Sequence, residues 1–357
     1  MTDSVRHPFE SPWRKAAVSA VAFAAAAGAA VLPAQAAAAA QPEACILQEL
    51  PMPKGLYFSF VTGMSPDGSV IAYRAYPAGQ GGYERYPLLF QDGEMTEVPI
   101  PGEDQQVADV NSAGLGVGLT FLDGVELPYV YRDGKVAELP AEDGGAAYGV
   151  NEDGDIVGFQ GQFPNTPVIW RDGEKEPAVL ALPANATSGQ ARAIDADGTV
   201  VGFYEEAGTG NFKPYVWHSD GTGEDLPMPE GVDPATAHSY PNQITDGWIG
   251  GYLNTPDATT GIRWNLADGT AEVLGLGTAA GINGEGTAVG DTDPFAAYQE
   301  VDGKPVELPG VTDPADNYFG DSAVEISPDG SLIAGHVYAG EDEYGWHILK
   351  AVTWTCG

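Results

Sequence analysis

The sequence predicts an all-β fold, a seven-bladed β-propeller of four-stranded blades, on three observations. A polar turn carrying glycine recurs seven times, at Gly68, Gly114, Gly154, Gly198, Gly247, Gly286 and Gly330, at intervals of 39 to 49 residues. A period in the forties built from short apolar runs belongs to propeller blades. An aromatic follows each glycine at the close of a third apolar run: Phe90, Tyr131, Trp170, Trp217, Trp264, Tyr298 and Trp354. Finally, the C-terminal unit lacks a fourth run, and the residues before the first unit supply a spare one.

Each unit reads in the same order. "AYGVNEDGDIVGF" (147–159) and "ARAIDADGTVVGF" (191–203) show two apolar runs around a polar turn. A variable segment leads to the aromatic run, as in "TPVIW" (166–170) and "KPYVW" (213–217). After the first six aromatics a turn such as "QDG" or "RDG" follows, and Asp-Gly between alternating runs is a strong hairpin signal. A fourth run then ends in "EVP", "ELP", "LALP", "DLP", "EVL" or "ELP". The seventh unit stops at "AVTWTCG", and "QELPMP" (48–53) supplies the missing ending. The N-terminal strand is therefore expected to complete the C-terminal blade. Cys356 stands where other units begin the hairpin turn, and Cys45 stands at its far side. A disulfide between them replaces the absent turn, which an oxidising compartment allows. The chain-entropy model gives roughly 5–6 kcal/mol for so long a loop, an upper figure. The unit around Ile244–Tyr252 is the weakest match, with a shortened turn and Trp248 in place of a small residue.

Residues 1–36 read as a secretory signal peptide: Arg14 and Lys15, the apolar run 16–31, then small residues around Ala34-Gln35-Ala36. Residues 37–44 form a short linker, and 45–356 one propeller domain of seven repeats. Cleavage leaves twelve basic and 49 acidic residues, a net charge of −37. Such a surface excludes nucleic acid and anionic membrane surfaces as ordinary partners. The expectation is an extracellular monomer, with no membrane insertion after cleavage.

The repeats "AIDADGTVVGFYEEAGTGNFKPYVWHSDGTGEDLP" (193–227) and "GINGEGTAVGD" (281–291) resemble the HAF-type repeats of exported bacterial proteins. The turns resemble those of WD-repeat and TolB-like β-propellers. The His-Ala-Phe triplet itself is absent, replaced by "KPYVW" or "TPVIW". The resemblance implies a propeller and export, and no defined reaction.

Function is sought in the loops joining strands 2 and 3 and in the links between blades, which share one face of a propeller and vary in length here. The ligand-binding candidates are Tyr83, Tyr86, Phe163, Phe212, His238, Tyr240, Tyr318, Phe319, Tyr344 and Trp346, with Tyr76 alongside. Acidic companions are Asp104, Glu205, Glu206, Asp291, Asp293, Asp321, Glu341 and Asp342. Aromatic faces beside carboxylates suit sugar rings and equally a basic protein. "NEDGD" and "DADG" fall on the repeated turn, where Asp and Gly serve the backbone, and continue to no calcium-loop glutamate. The four histidines left after cleavage, His218, His238, His336 and His347, stand at no metal-binding spacing and argue against zinc, and no cofactor is expected. No nucleophile elbow or phosphate loop is present. The expectation is a non-catalytic recognition module for carbohydrate or a basic protein. The alternative is an extracellular polysaccharide hydrolase or lyase with His238, Tyr240 and Asn242 in a central funnel. Against it stands the scarcity of Arg and Lys to meet an acidic sugar.

Overall fold

In the computed structural model, residues 45–77, 84–292, 296–301, 303–312, 320–342 and 344–357 are described. The proposed signal peptide and linker, and the candidates Tyr83, Asp293, Tyr318 and Phe319, lie outside them. Seven antiparallel sheets of four strands follow one another around a ring. Blade 1 is β2 (Phe58–Met64), β3 (Val70–Tyr76), β4 (Tyr86–Gln91) and β5 (Glu94–Glu97). Blade 2 is β6 (Glu103–Val110), β7 (Gly116–Leu122), β8 (Val125–Arg132) and β9 (Lys135–Glu138). Blade 3 runs from β10 (Gly145–Val150) through β11 (Ile156–Gln160) and β12 (Thr166–Trp170) to β13 (Ala178–Val179). Blade 4 runs from β14 (Ala186–Ile194) through β15 (Val200–Glu206) and β16 (Phe212–Trp217) to β17 (Gly223–Asp225). Blade 5 comprises β18 (His238–Thr245), β19 (Trp248–Asn254), β20 (Thr259–Asn265) and β21 (Thr270–Val273). Blade 6 comprises β22 (Thr278–Ile282), β23 (Ala288–Thr292), β24 (Ala296–Val301) and β25 (Lys304–Glu307). Blade 7 takes β26 (Ser322–Ile326), β27 (Leu332–Glu341) and β28 (His347–Thr355) from the C-terminus, and β1 (Ile46–Glu49) from the N-terminus.

The closure follows the sequence prediction residue by residue. Ile46 pairs with Thr355 and Leu47 with Trp354, as Glu94 pairs with Gln91 and Met95 with Phe90 in blade 1. By that register Cys356 and Cys45 occupy the places of Asp92 and Gly93, the hairpin turn. They form a disulfide across a separation of 311 residues. The weak unit is a full blade, in which a two-residue turn, Asp246-Gly247, joins Thr245 to Trp248.

The repeated letters acquire physical reasons in the packing between blades. Indole N–H groups of Trp170, Trp264 and Trp354 donate to the carbonyls of Pro140, Pro227 and Pro309, at 2.7, 2.8 and 2.8 Å. Trp217 donates likewise to Ala181, and the Tyr73 hydroxyl to Pro51. The "eLP" ending thus presents an acceptor to the aromatic of the following blade, satisfying a polar atom that burial would otherwise strand. The preceding apolar residue (Leu50, Val98, Leu226, Leu308) is buried.

Every innermost strand carries a bulge one turn before its end, at Thr62, Ala108, Tyr148, Arg192, Asn242, Ala280 and Val324. A bulge re-aims a side chain, here toward the central channel. Opposite it, six blades place glycine in the second strand. At Gly158 and Gly202 a Cβ would sit within about 2 Å of the Ala146 and Gln190 carbonyl oxygens. The recurring "VGF" is therefore a close-approach requirement of the bulge.

Candidate functional site

The central channel has two vestibules meeting at a waist. One lies against the repeated turns between the first and second strands of each blade, with a volume of about 200 Å³. The other opens on the face of the variable loops, with about 550 Å³, within the usual range for a small-ligand site. Both share Asp109, Ala193, Gln243 and Glu325. These residues follow the bulge positions, and the corresponding places in blades 1, 3 and 6 are Gly63, Gly149 and Gly281.

The waist is polar and internally committed. Asp109 accepts from the backbone N–H of Val110 at 2.8 Å and of Val150 at 2.9 Å, joining blade 2 to blade 3. The Ile282 N–H donates to the Gln243 side-chain oxygen, which turns the amide nitrogen toward Glu325. Burial pushes the Asp109 carboxyl up to about 7 against the pull of its two amide donors. Burial and the neighbouring Asp109 raise Glu325 well above the carboxylate range, with the Gln243 hydrogen bond opposing.

The turn-face vestibule is a ring of staples. Asn111 donates to the Asn151 carbonyl at 3.0 Å while its oxygen accepts from Ala113 and Leu115. The Asp195 carboxylate accepts from Asp246 and Gly247, and Asn283 donates to the Pro328 carbonyl. These are the Asp and Asn of the repeated turns, here sewing blade to blade. Among the described residues no group of three or more His, Cys, Asp and Glu side chains is placed to hold a metal.

The loop-face funnel is built differently. On blade 1, Phe58 stacks on Tyr76 with centroids 5.0 Å apart, and Phe60 meets His336 edge-on at 6.0 Å. Arg74 lies over Phe60 and Arg85 over Tyr76. Both guanidiniums pair with Asp104 of blade 2, at 3.1 and 3.3 Å. Across the funnel, Arg192 lies 3.9 Å from the centre of the Tyr148 ring. Burial raises the phenols of Tyr148 and Tyr252, and the Arg192 charge opposes it. Tyr252 stacks on Tyr240 at 4.8 Å, and Phe203 and Phe212 meet Tyr240 at 5.3 and 5.6 Å. His238 closes this strip, accepting the Phe212 N–H on Nδ1 at 3.3 Å. Between the two aromatic walls stand Glu126 and Phe121 of blade 2. There the connection between strands 2 and 3 shrinks to Asp123-Gly124, the shortest on that face.

Of the candidates from sequence, the structure thus gathers Phe212, His238, Tyr240 and Asn242 along one wall, with Tyr76 and Asp104 on the other. Tyr86 is half-buried at the start of β4. Phe163, Tyr344 and Trp346 lie on loops of blades 3 and 7, exposed at 73%, 77% and 43%. They do not join the funnel. Asp342 holds the backbone of Tyr344 and Trp346, and Glu341 faces His347 at 3.7 Å. Glu206 accepts from Asn185 and Thr209 within blade 4, beside Glu205. Asp291 accepts from Thr278, and buried Asp321 from the Tyr338 N–H. Sequence reasoning missed Arg74, Tyr148, Arg192 and Glu126. The bulge position could have revealed Arg192 and Tyr148, because "ARAI" and "AYGV" put a large polar residue where other repeats have small ones.

No protein-family model matches the chain, and no curated protein matches it. Solved structures show the fold. An oligogalacturonate lyase from Vibrio parahaemolyticus superposes with a TM-score of 0.53 at 10% identity, covering 88% of this chain and 98% of that one. Hydrazine synthase from Kuenenia stuttgartiensis superposes at 0.52 with 14% identity, covering 79% and 92%. A putative TolB from Agrobacterium tumefaciens gives 0.47 at 11% identity, covering 61% and 80%. The chain is a β-propeller with distant structural relatives of mixed activity.

Proposed function

We propose that this chain is an exported recognition module that binds carbohydrate in its loop-face funnel without transforming it. The observation that carries the reading is the funnel's wall: half-buried Tyr148 lines it under Arg192, the stacked pair Tyr240 and Tyr252 stands beside it, and amides and carboxyls lie among them. Sugar rings stack on such faces while their hydroxyls take the polar groups. Burial raises all three phenols, which favours their acting as hydrogen-bond donors to sugar oxygens. Asp109 and Glu325, the carboxyls with the most raised affinity for protons, are tied to backbone amides and to Gln243. Arg192, the guanidinium in the funnel with no ion pair among the described residues, makes a basic protein the poorer fit.

Export, extracellular residence and kinship with HAF-type repeat proteins belong to the same reading, and rest on the N-terminal sequence and the repeat resemblance. The rival is a polysaccharide lyase or hydrolase, which Glu126 beside Tyr148 and Arg192 favours. The test is to mix the mature domain with insoluble polysaccharides and cell-wall material, sediment it, and analyse the supernatant by mass spectrometry. Protein in the pellet over an unchanged supernatant is expected. New oligosaccharides in the supernatant would sink the non-catalytic reading, and no sedimentation on any polymer would sink carbohydrate binding.

A further inference from the structure

The described chain holds six arginines, in a protein whose full sequence carries a formal charge of −36. Five are ion-paired: Arg74 and Arg85 with Asp104, Arg132 with Asp172, Arg171 with Asp155, and Arg263 with Glu272 and Glu300. Among the described residues Arg192 alone has no carboxylate within ion-pair distance. It is not a surface cation left to solvent. The β14 bulge aims it into the funnel, where it lies on the Tyr148 ring. Two further donors in the same vestibule, the side-chain amides of Gln106 and Asn242, make no side-chain hydrogen bond within the described protein. Asp104 of the same vestibule is taken by Arg74 and Arg85, and burial raises the proton affinity of Asp109 and Glu325, so Arg192 is the cation there that no carboxylate of the described residues pairs directly.

We infer that the funnel selects saccharides bearing a carboxylate, which Arg192 clasps from its seat on the Tyr148 ring. This rests on the carbohydrate reading above and narrows its ligand class. Guanidinium meets carboxylate through two parallel N–H donors, a match that an ammonium cannot reproduce. Glu126 acts on Arg192 from outside ion-pair distance, and the Tyr148 side chain engages the same guanidinium, so no carboxylate of the described residues takes its paired donors. The Gln106 and Asn242 amides are placed for the hydroxyls that flank the carboxylate.

The experiment is calorimetric titration of the mature protein with hexuronate trisaccharides of the gluco, galacto and manno series. Each is compared with its methyl ester, which has the same shape without the charge, and with the neutral hexose trisaccharide. At least one free acid is expected to bind ten-fold or more tighter than its ester. Arg192→Gln is expected to erase that difference while leaving ester affinity within about two-fold, since the charge-assisted bonds are made to the free carboxylate. Arg192→Lys, which keeps charge and packing, is expected to lose most of the preference. Equal binding of acid and ester by the wild type would overturn the inference and leave carbohydrate recognition standing. So would a preference that survives Arg192→Gln. No binding of any trisaccharide, charged or neutral, would remove the recognition reading together with the inference.

Discussion

The two mouths of the channel are made from the same seven repeats and have opposite characters. At the turn face, the polar side chains of the repeat are spent on neighbouring blades: Asn111 on Asn151, Asp195 on Asp246 and Gly247, Asn283 on Pro328. At the loop face, a few residues back along the innermost strands, Arg192 has no ion pair and Asn242 and Gln106 make no side-chain hydrogen bond among the described residues. Uniform residues at a repeated position hold the ring together, and departures from uniformity mark where the ring meets something else. Changes at the turn face should therefore cost stability and spare binding, and changes at the loop face should do the reverse.

The largest effect is expected at the turn face, where the disulfide replaces a hairpin turn. Cys356→Ser with Cys45→Ser leaves the N-terminal segment held to blade 7 by four residue pairs, the Leu50–Ala351 backbone hydrogen bond, the Lys350–Glu49 ion pair and the burial of Leu50. Chemical denaturation should show a loss of about 2–5 kcal/mol, below the chain-entropy figure because the unfolded chain is not a random coil. Carbohydrate sedimentation under native conditions should be unchanged. An unaltered midpoint would show that pairing of β1 alone closes the ring.

Where the two regions meet, the waist should make stability depend on pH. Asp109 is raised from 3.8 to about 7 and Glu325 is raised as well. The folded state then holds protons that the unfolded chain has released, so this contribution falls as pH rises from about 4 through 7. A ten-fold gain in proton affinity on folding is worth about 1.4 kcal/mol, and partial contact with channel water scales the total down to about 1–3 kcal/mol. The waist alone should make wild type melt higher at pH 5 than at pH 8, whereas His336, held down to about 4 by burial, pulls the other way below about pH 6.5. Glu325→Gln, which keeps the Gln243 hydrogen-bond geometry, should flatten that slope. The variant will share the general pH response of an acidic surface, so the difference between the two slopes is the quantity to compare.

Asn111→Ala tests the staples directly. It strands the buried Leu115 N–H and removes the bond across to the Asn151 carbonyl, which keeps only its Gly154 donor, a loss of roughly 1–3 kcal/mol. Ligand affinity should stay within two-fold. A matching loss of affinity would mean that the two mouths are coupled and would undo their division of labour.

The same division explains what was legible in sequence. Blade count, strand order, closure and the Cys45–Cys356 bridge were legible, because each follows from a pattern repeated seven times and broken once. The ring of staples was half legible: "NEDGD" and "DADG" read as turns, and nothing in one repeat shows that its Asn or Asp reaches the next. The funnel was hidden because its walls come from every blade. Tyr240, Phe212 and His238 stand out as loop-end aromatics, whereas Phe163, Tyr344 and Trp346 satisfy the same criterion and lie apart. Arg192 and Tyr148 read as strand interior. Only the bulge, a backbone feature forced by the close approach of Gly202 and Gly158, turns them into the channel.

The smallest effect on stability, and the sharpest on the comparison, is expected at Asn242. It occupies the same bulge in β18 that Arg192 occupies in β14, and its amide has no side-chain partner among the described residues. Asn242→Ala removes no internal hydrogen bond, so the melting temperature should move by no more than a change of about 0.5 kcal/mol implies. A ligand hydroxyl bound by that amide should be lost, lowering affinity about three- to ten-fold for acid and ester alike. Arg192→Gln, by contrast, should act on the acid alone. Two neighbouring bulge residues would then report separately on the sugar and on its charge. A destabilised Asn242→Ala with unaltered affinity would return this position to the stapling role of its counterparts at the other mouth.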